Sequence, residues 1–104
     1  VHEKGTANVP EPVYDVSIDK LPGKKQGISF KTLPVNKEME AVRFLIYFFE
    51  KGEELNVGRG ENIVALTGTT EWEFSKKEFK KGVFVIYAVN RYNQLSSPVH
   101  FVKD

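Results

Sequence analysis

The residues able to do acid–base, metal or nucleophilic chemistry in this chain are few and poorly spaced for it. Its two histidines are His2 and His100. One falls in a polar N-terminal stretch and the other in an apolar C-terminal run, so they form no metal-ligand spacing, and a zinc site would need further ligands. Ser97, His100 and Asp104 contain the residue types of a hydrolytic triad. They crowd onto one short segment, without a nucleophile elbow or an oxyanion-hole motif. Gly58-Arg59-Gly60 is not followed by the helix pattern and Lys-Ser/Thr pair of a phosphate loop. There is no cysteine, which removes disulfides, thiolate metal sites and cysteine nucleophiles. No cofactor is expected, and the catalytic and metal-ligand sets are read as empty.

The chain has 104 residues, 40% hydrophobic and 28% charged, with a formal net charge of +1. That suits one domain with one core. The whole-molecule field is weak, and the pairs Lys24-Lys25, Lys76-Lys77 and Lys80-Lys81 look scattered among glutamates. They read as solubilising loop charge, and nucleic acid is not an expected partner. No apolar run is long enough to cross a bilayer, so membrane insertion by this domain is not expected either. The chain begins at Val1 without an initiator Met or a signal-peptide pattern. It is read as a domain cut from a larger protein.

The elements that would position any site are strands. Residues 1–12 carry Gly5, Pro10 and Pro12 among polar residues and read as a linker, with the folded domain over 13–104. Val13 to Ile18 alternates and stops at Leu21-Pro22-Gly23. Ile28 and Phe30 alternate with Ser29 and Lys31. After a loop over 34–38, with a brief helical turn as an option over 36–41, Val42 to Phe49 is the strongest strand, rich in β-branched and aromatic residues. Shorter strands follow at 63–67 and 69–74, then a charged connection over 75–82. Val83 to Arg91 is the second strong strand, and residues 97–102 form the last. About seven short strands separated by turn signals predict an all-β, two-sheet antiparallel sandwich. Its interior would be filled by side chains. Glu53, Glu54, Glu61, Glu71, Glu73 and Glu78 therefore read as surface groups, not as a carboxylate pair held across a cleft.

Phe84-Val85-Ile86-Tyr87-Ala88-Val89-Asn90, followed by Tyr92-Asn93 and Ser96-Ser97-Pro98, resembles the last hairpin of a fibronectin type III domain. Phe84 stands at that family's tyrosine position, so the corner hydrogen bond of its hydroxyl is missing. Phe44-Leu45-Ile46-Tyr47 resembles the family's central strand, and Ile28 and Phe30 stand where its second strand carries Leu and Trp. The order of Arg43–Phe49, Ile63–Thr70 and Ala88–Ser96 is similar to the fibronectin-like C-terminal accessory domain of bacterial glycoside-hydrolase-like proteins. The resemblance spans about residues 13–102. It implies an immunoglobulin-like sandwich and a non-catalytic accessory or spacer domain, whose intramolecular partner is the parent's catalytic domain. It also implies a periplasmic, cell-surface or extracellular location.

Side chains alternate along a strand. With Phe44, Ile46, Phe48, Phe84, Ile86 and Ala88 inward, the opposite face of the two strong strands carries Leu45, Tyr47, Phe49, Val83, Val85, Tyr87 and Val89. An exposed antiparallel face should be polar. These seven residues are the candidate interface, expected as an open apolar patch that docks on the parent's catalytic domain or on a second copy. The alternative is that long Lys and Arg stems from flanking strands, together with the Tyr hydroxyls, partly cover them. Trp72 and Tyr92 are the candidate stacking platforms of the alternative function, a carbohydrate-binding module with polysaccharide as partner. Trp72 alternates with Glu71 and Glu73, which favours a core position.

Overall fold

The computed structural model describes residues 9–33 and 40–103. Seven strands follow in order: β1 (Tyr14–Leu21), β2 (Lys25–Lys31), β3 (Ala41–Glu50), β4 (Ile63–Thr67), β5 (Glu71–Ser75), β6 (Gly82–Asn90) and β7 (Val99–Lys103). They form two antiparallel sheets, β1-β2-β5 and β4-β3-β6-β7. The all-β, two-sheet, seven-strand class expected from the sequence is the one observed. The loop expected over 34–38, His2 and Asp104 lie outside the described residues. So do most of the helical turn considered over 36–41 and residues 1–8 of the expected linker. Pro10, within that linker, is fully buried.

The two sheets close on a core of Ile28, Phe30 and Phe74 from one side and Phe44, Ile46, Phe48, Phe84, Ile86 and Ala88 from the other. Each buried Phe or Ile side chain among them contributes roughly 1.5–3 kcal/mol when taken from water. Phe30 meets Phe44 edge-on at 5.0 Å, and Phe84 packs against Phe48 at 4.8 Å and Phe74 at 5.5 Å. Phe84, where the resemblance calls for tyrosine, is fully buried.

Local backbone chemistry sets the register. Positive φ at Gly23 and Lys24 closes the β1–β2 hairpin. Asp15, at φ +52°, sits where the β1–β2 register shifts between Tyr14 and Ser17. That irregularity leaves Val13, Val16 and Ile18 all packed on the core. The β6–β7 hairpin is tied by Asn90, whose side-chain Oδ1 accepts from the backbone N–H groups of Tyr92 (2.9 Å) and Gln94 (3.0 Å). Ser96 Oγ accepts from the Ala88 N–H at 2.9 Å. Both groups are buried and supplied with partners, as buried polar groups must be.

Candidate interface on the outer sheet face

β3 and β6 are neighbours, paired Leu45 with Tyr87, Tyr47 with Val85 and Phe49 with Val83. Directly opposite residues share a face. This register therefore gathers the expected side chains on the outer side of β4-β3-β6-β7. Tyr47, Phe49, Val85 and Tyr87 form a second apolar cluster, with Leu45 and Val83 packed against it. Tyr47 stacks parallel to Phe49 at 6.0 Å and meets Tyr87 edge-on at 6.0 Å. Burial, and secondarily the neighbouring Tyr47, push the Tyr87 phenol above its ordinary range.

The patch is contiguous but not open, which corrects one expectation. Phe49 and Val85 are 0% exposed; Tyr47, Tyr87 and Val89 are buried, and Leu45 and Val83 are half-buried. Tyr47, Phe49 and Tyr87 pack on one another across the two central strands. At the hairpin end Arg43 pairs with Val89 across the ladder, and its guanidinium donates to Asn93 Oδ1. Alternation identifies the face a side chain takes but not how far its neighbours shield it.

The open apolar surface lies at the two edges of the same face. Leu66 pairs with Leu45 and Ile63 with Tyr47, while Val102 pairs with Val83. Leu66 is 61% exposed and Val102 63%, with Ile63 also exposed. Sequence reading missed these residues because β4 and β7 are short. The signal was present in the alternation of Leu66 with Ala65 and of Val102 with Phe101.

The two stacking candidates are not brought together. Trp72 is half-buried against the core, its ring 5.5 Å from Phe74 and 5.9 Å from Phe79. Tyr92 is exposed in the β6–β7 turn. Among the described residues no ring contact joins it to Trp72.

Among the described residues no group of three or more His, Asp or Glu side chains is placed to hold a metal ion. Glu53 accepts from the Glu50 N–H at 2.9 Å and from Asn62 Nδ2 at 3.1 Å. The Asn62 hydrogen bond, followed by the backbone one, holds its carboxyl below the usual range. Glu61 is paired with Arg59 at 2.9 Å. Both carboxylates thus have local structural partners. No described helix is long and apolar enough to cross a membrane.

No family model and no curated protein matches the chain. Solved structures do. The glycoside hydrolase domain of Endo-D from Streptococcus pneumoniae matches with a TM-score of 0.61 at 15% identity, over 91% of this chain and 15% of that one. Domains d3–d4 of the rat CD45 extracellular region match with a TM-score of 0.58 at 12% identity, over 89% and 49%. A myokine structure matches with a TM-score of 0.57 at 13% identity, over 91% and 99%. At these identities the likeness is one of fold: the chain is an immunoglobulin-like β-sandwich. It spans about one-seventh of the Endo-D chain and about half of the CD45 chain.

Proposed function

We propose that the chain is a fibronectin type III-like accessory domain of a larger, exported bacterial glycoside-hydrolase-like protein. It is itself non-catalytic, and it supports or orients the catalytic domain through the outer face of β4-β3-β6-β7. One observation carries this reading. Leu66, Ile63 and Val102 stand open at the two edges of that face, flanking a centre whose apolar side chains are already covered within the chain. The strand order, the Asn90–Ser96 hairpin and the fold likeness to a small part of the Endo-D chain support the same reading. The fold likeness to an extracellular region favours export. The carbohydrate-binding alternative retains Tyr92 as an open ring, without Trp72 beside it.

The test uses Leu66→Cys and Val102→Cys variants, each labelled with a maleimide in the 104-residue chain and in the full-length product of its gene. Fast labelling in the chain and protection in the full-length protein are expected. Equal rates in both would refute the docking role. Protection that grows with concentration in the chain alone would assign the face to a second copy instead.

A further inference from the structure

The lysine pairs that look scattered in the sequence converge at one end of the sandwich. Lys24, Lys76, Lys77, Lys80, Lys81 and Lys103 line a hollow of about 500 Å3. They come from three places: the β1–β2 turn, the β5–β6 connection and the end of β7. Among the described residues no carboxylate lines this hollow, and none of the six ammonium groups is ion-paired. An adjoining hollow shares Lys77, Lys80 and Lys81 and adds Glu50, Lys51 and Glu78.

The arrangement is held by structure that does not depend on the ammonium groups of the β5–β6 connection. The Lys76 N–H donates to the Lys24 carbonyl at 3.0 Å, joining the first hairpin to that connection. Glu78 Oε1 accepts from the Ser75 N–H at 3.0 Å, and the Glu78 N–H donates to the Ser75 carbonyl at 3.0 Å, closing a turn. One residue later Phe79 enters the core, 4.8 Å from Phe48 and 5.4 Å from Phe74. The connection carrying four of the lysines is therefore pinned at its middle. Lys103 Nζ donates to the Lys80 carbonyl at 2.7 Å, bringing β7 into the group.

Like charges around one hollow repel, and folding alone gives no reason to assemble them. We infer that this hollow is a binding site for a compact ligand carrying several phosphate or sulfate groups. The hollow has the size of small-ligand sites, which run about 300–1,000 Å3. Its walls are largely lysine methylene stems. Lysine offers point charges without the planar fork of arginine, which favours charge density over one fixed geometry. A concave site with no aromatic ring in its lining lacks the stacking platform of single-stranded nucleic acid. A net charge of +1 is far from the basic excess of a duplex-binding protein. Partial burial, followed by the charge of Lys76, lowers the Lys103 pKa.

The experiment is calorimetric titration of the 104-residue chain with tripolyphosphate and, separately, with a heparin-derived tetrasaccharide. Each is run at low salt and at 0.5 M NaCl, with K76Q/K103Q compared to K20Q/K31Q, which removes the same charge outside the hollow. Binding of at least one probe is expected, weakened about tenfold or more in K76Q/K103Q. It should be little changed in K20Q/K31Q and lost at high salt. Preference for tripolyphosphate would identify a phosphorylated small molecule, and preference for the tetrasaccharide a sulfated glycan; either supports the site. Absence of binding, or equal loss in the two double variants, overturns it. So does binding confined to duplex DNA or anionic vesicles. Far-UV circular dichroism of each variant separates lost binding from lost folding. Because these residues lie outside the outer-face cluster and its open edge residues, failure here leaves the docking role intact, and the converse holds.

Discussion

Gly82→Ala tests the register on which both apolar faces depend. Gly82 opens β6, opposite Glu50 of β3 and Lys103 of β7. A Cβ there would lie 2.2 Å from the Phe49 carbonyl oxygen and 2.6 Å from Phe48 Cζ. The first contact is with backbone, so no rotamer change relieves it. Phe48 is itself wedged against Phe79 and Phe84. Overpacking of this kind costs about 1–3 kcal/mol, here at the upper end. The reduced freedom of the unfolded chain offsets about 0.4–1 kcal/mol. A net loss of about 2 kcal/mol corresponds to a fall in Tm of roughly 10 °C for a domain of this size. Urea unfolding and calorimetry measure it. Gly60→Ala is the control, because nothing lies within 4 Å of its added methyl. It should change stability by less than about 1 kcal/mol. A Gly82→Ala protein as stable as the wild type would refute the pairing of Phe49 with Val83. A slip of one residue would exchange the two faces of β3 relative to β6.

Asn90→Ala removes the acceptor for two backbone N–H groups and should cost about 1–3 kcal/mol in urea unfolding, with the β6–β7 hairpin losing amide protection first. The lowered pKa of Glu53 stabilises the folded chain fully above the unfolded value of 4.5, and this contribution disappears as pH falls through the folded value. The stability difference between wild type and Glu53→Gln should therefore shrink on acidification. Lys103 is the alkaline counterpart: its folded pKa lies below 10.5, so a penalty present at neutral pH fades as pH rises through the folded value. Lys103→Gln should gain relative to wild type at pH 7 and lose that gain near pH 10.5. The raised pKa of Tyr87 stabilises the fold below pH 10 and ceases to do so as pH climbs through its folded value. Tyr87→Phe should lack this alkaline loss.

Much of the fold was legible because strand chemistry is local. Residues 42–49 and 83–91 have the composition of buried strands, and the structure extends or trims them by one residue at either end. β4 has the expected bounds, whereas the first hairpin is longer than alternation alone suggested. Its turn depends on positive φ at Lys24 as well as Gly23. The outer-face cluster was legible as a set of neighbours because period two assigns faces. Its coverage was not, since shielding depends on ring packing between Tyr47, Phe49 and Tyr87 and on what neighbouring chain adds. The lysine hollow was invisible for a different reason. Lys24, Lys76 and Lys103 lie far apart in the chain and meet only because β1-β2-β5 and β6-β7 end on the same side of the sandwich. A linear reading sees pairs diluted by glutamate, while the fold brings lysines of three separate segments to one hollow.

The supporting role is tested most directly by calorimetry of the full-length gene product carrying Leu66→Glu and Val102→Glu together. Both side chains are largely exposed, so the isolated 104-residue chain should unfold at an almost unchanged temperature. The proposed docking predicts that in the full-length protein the transition of the neighbouring domain falls by several degrees, because a charged pair would occupy the proposed docking edge. A neighbouring transition that stays in place, with the isolated chain also unaffected, would contradict the claim that this face holds another domain.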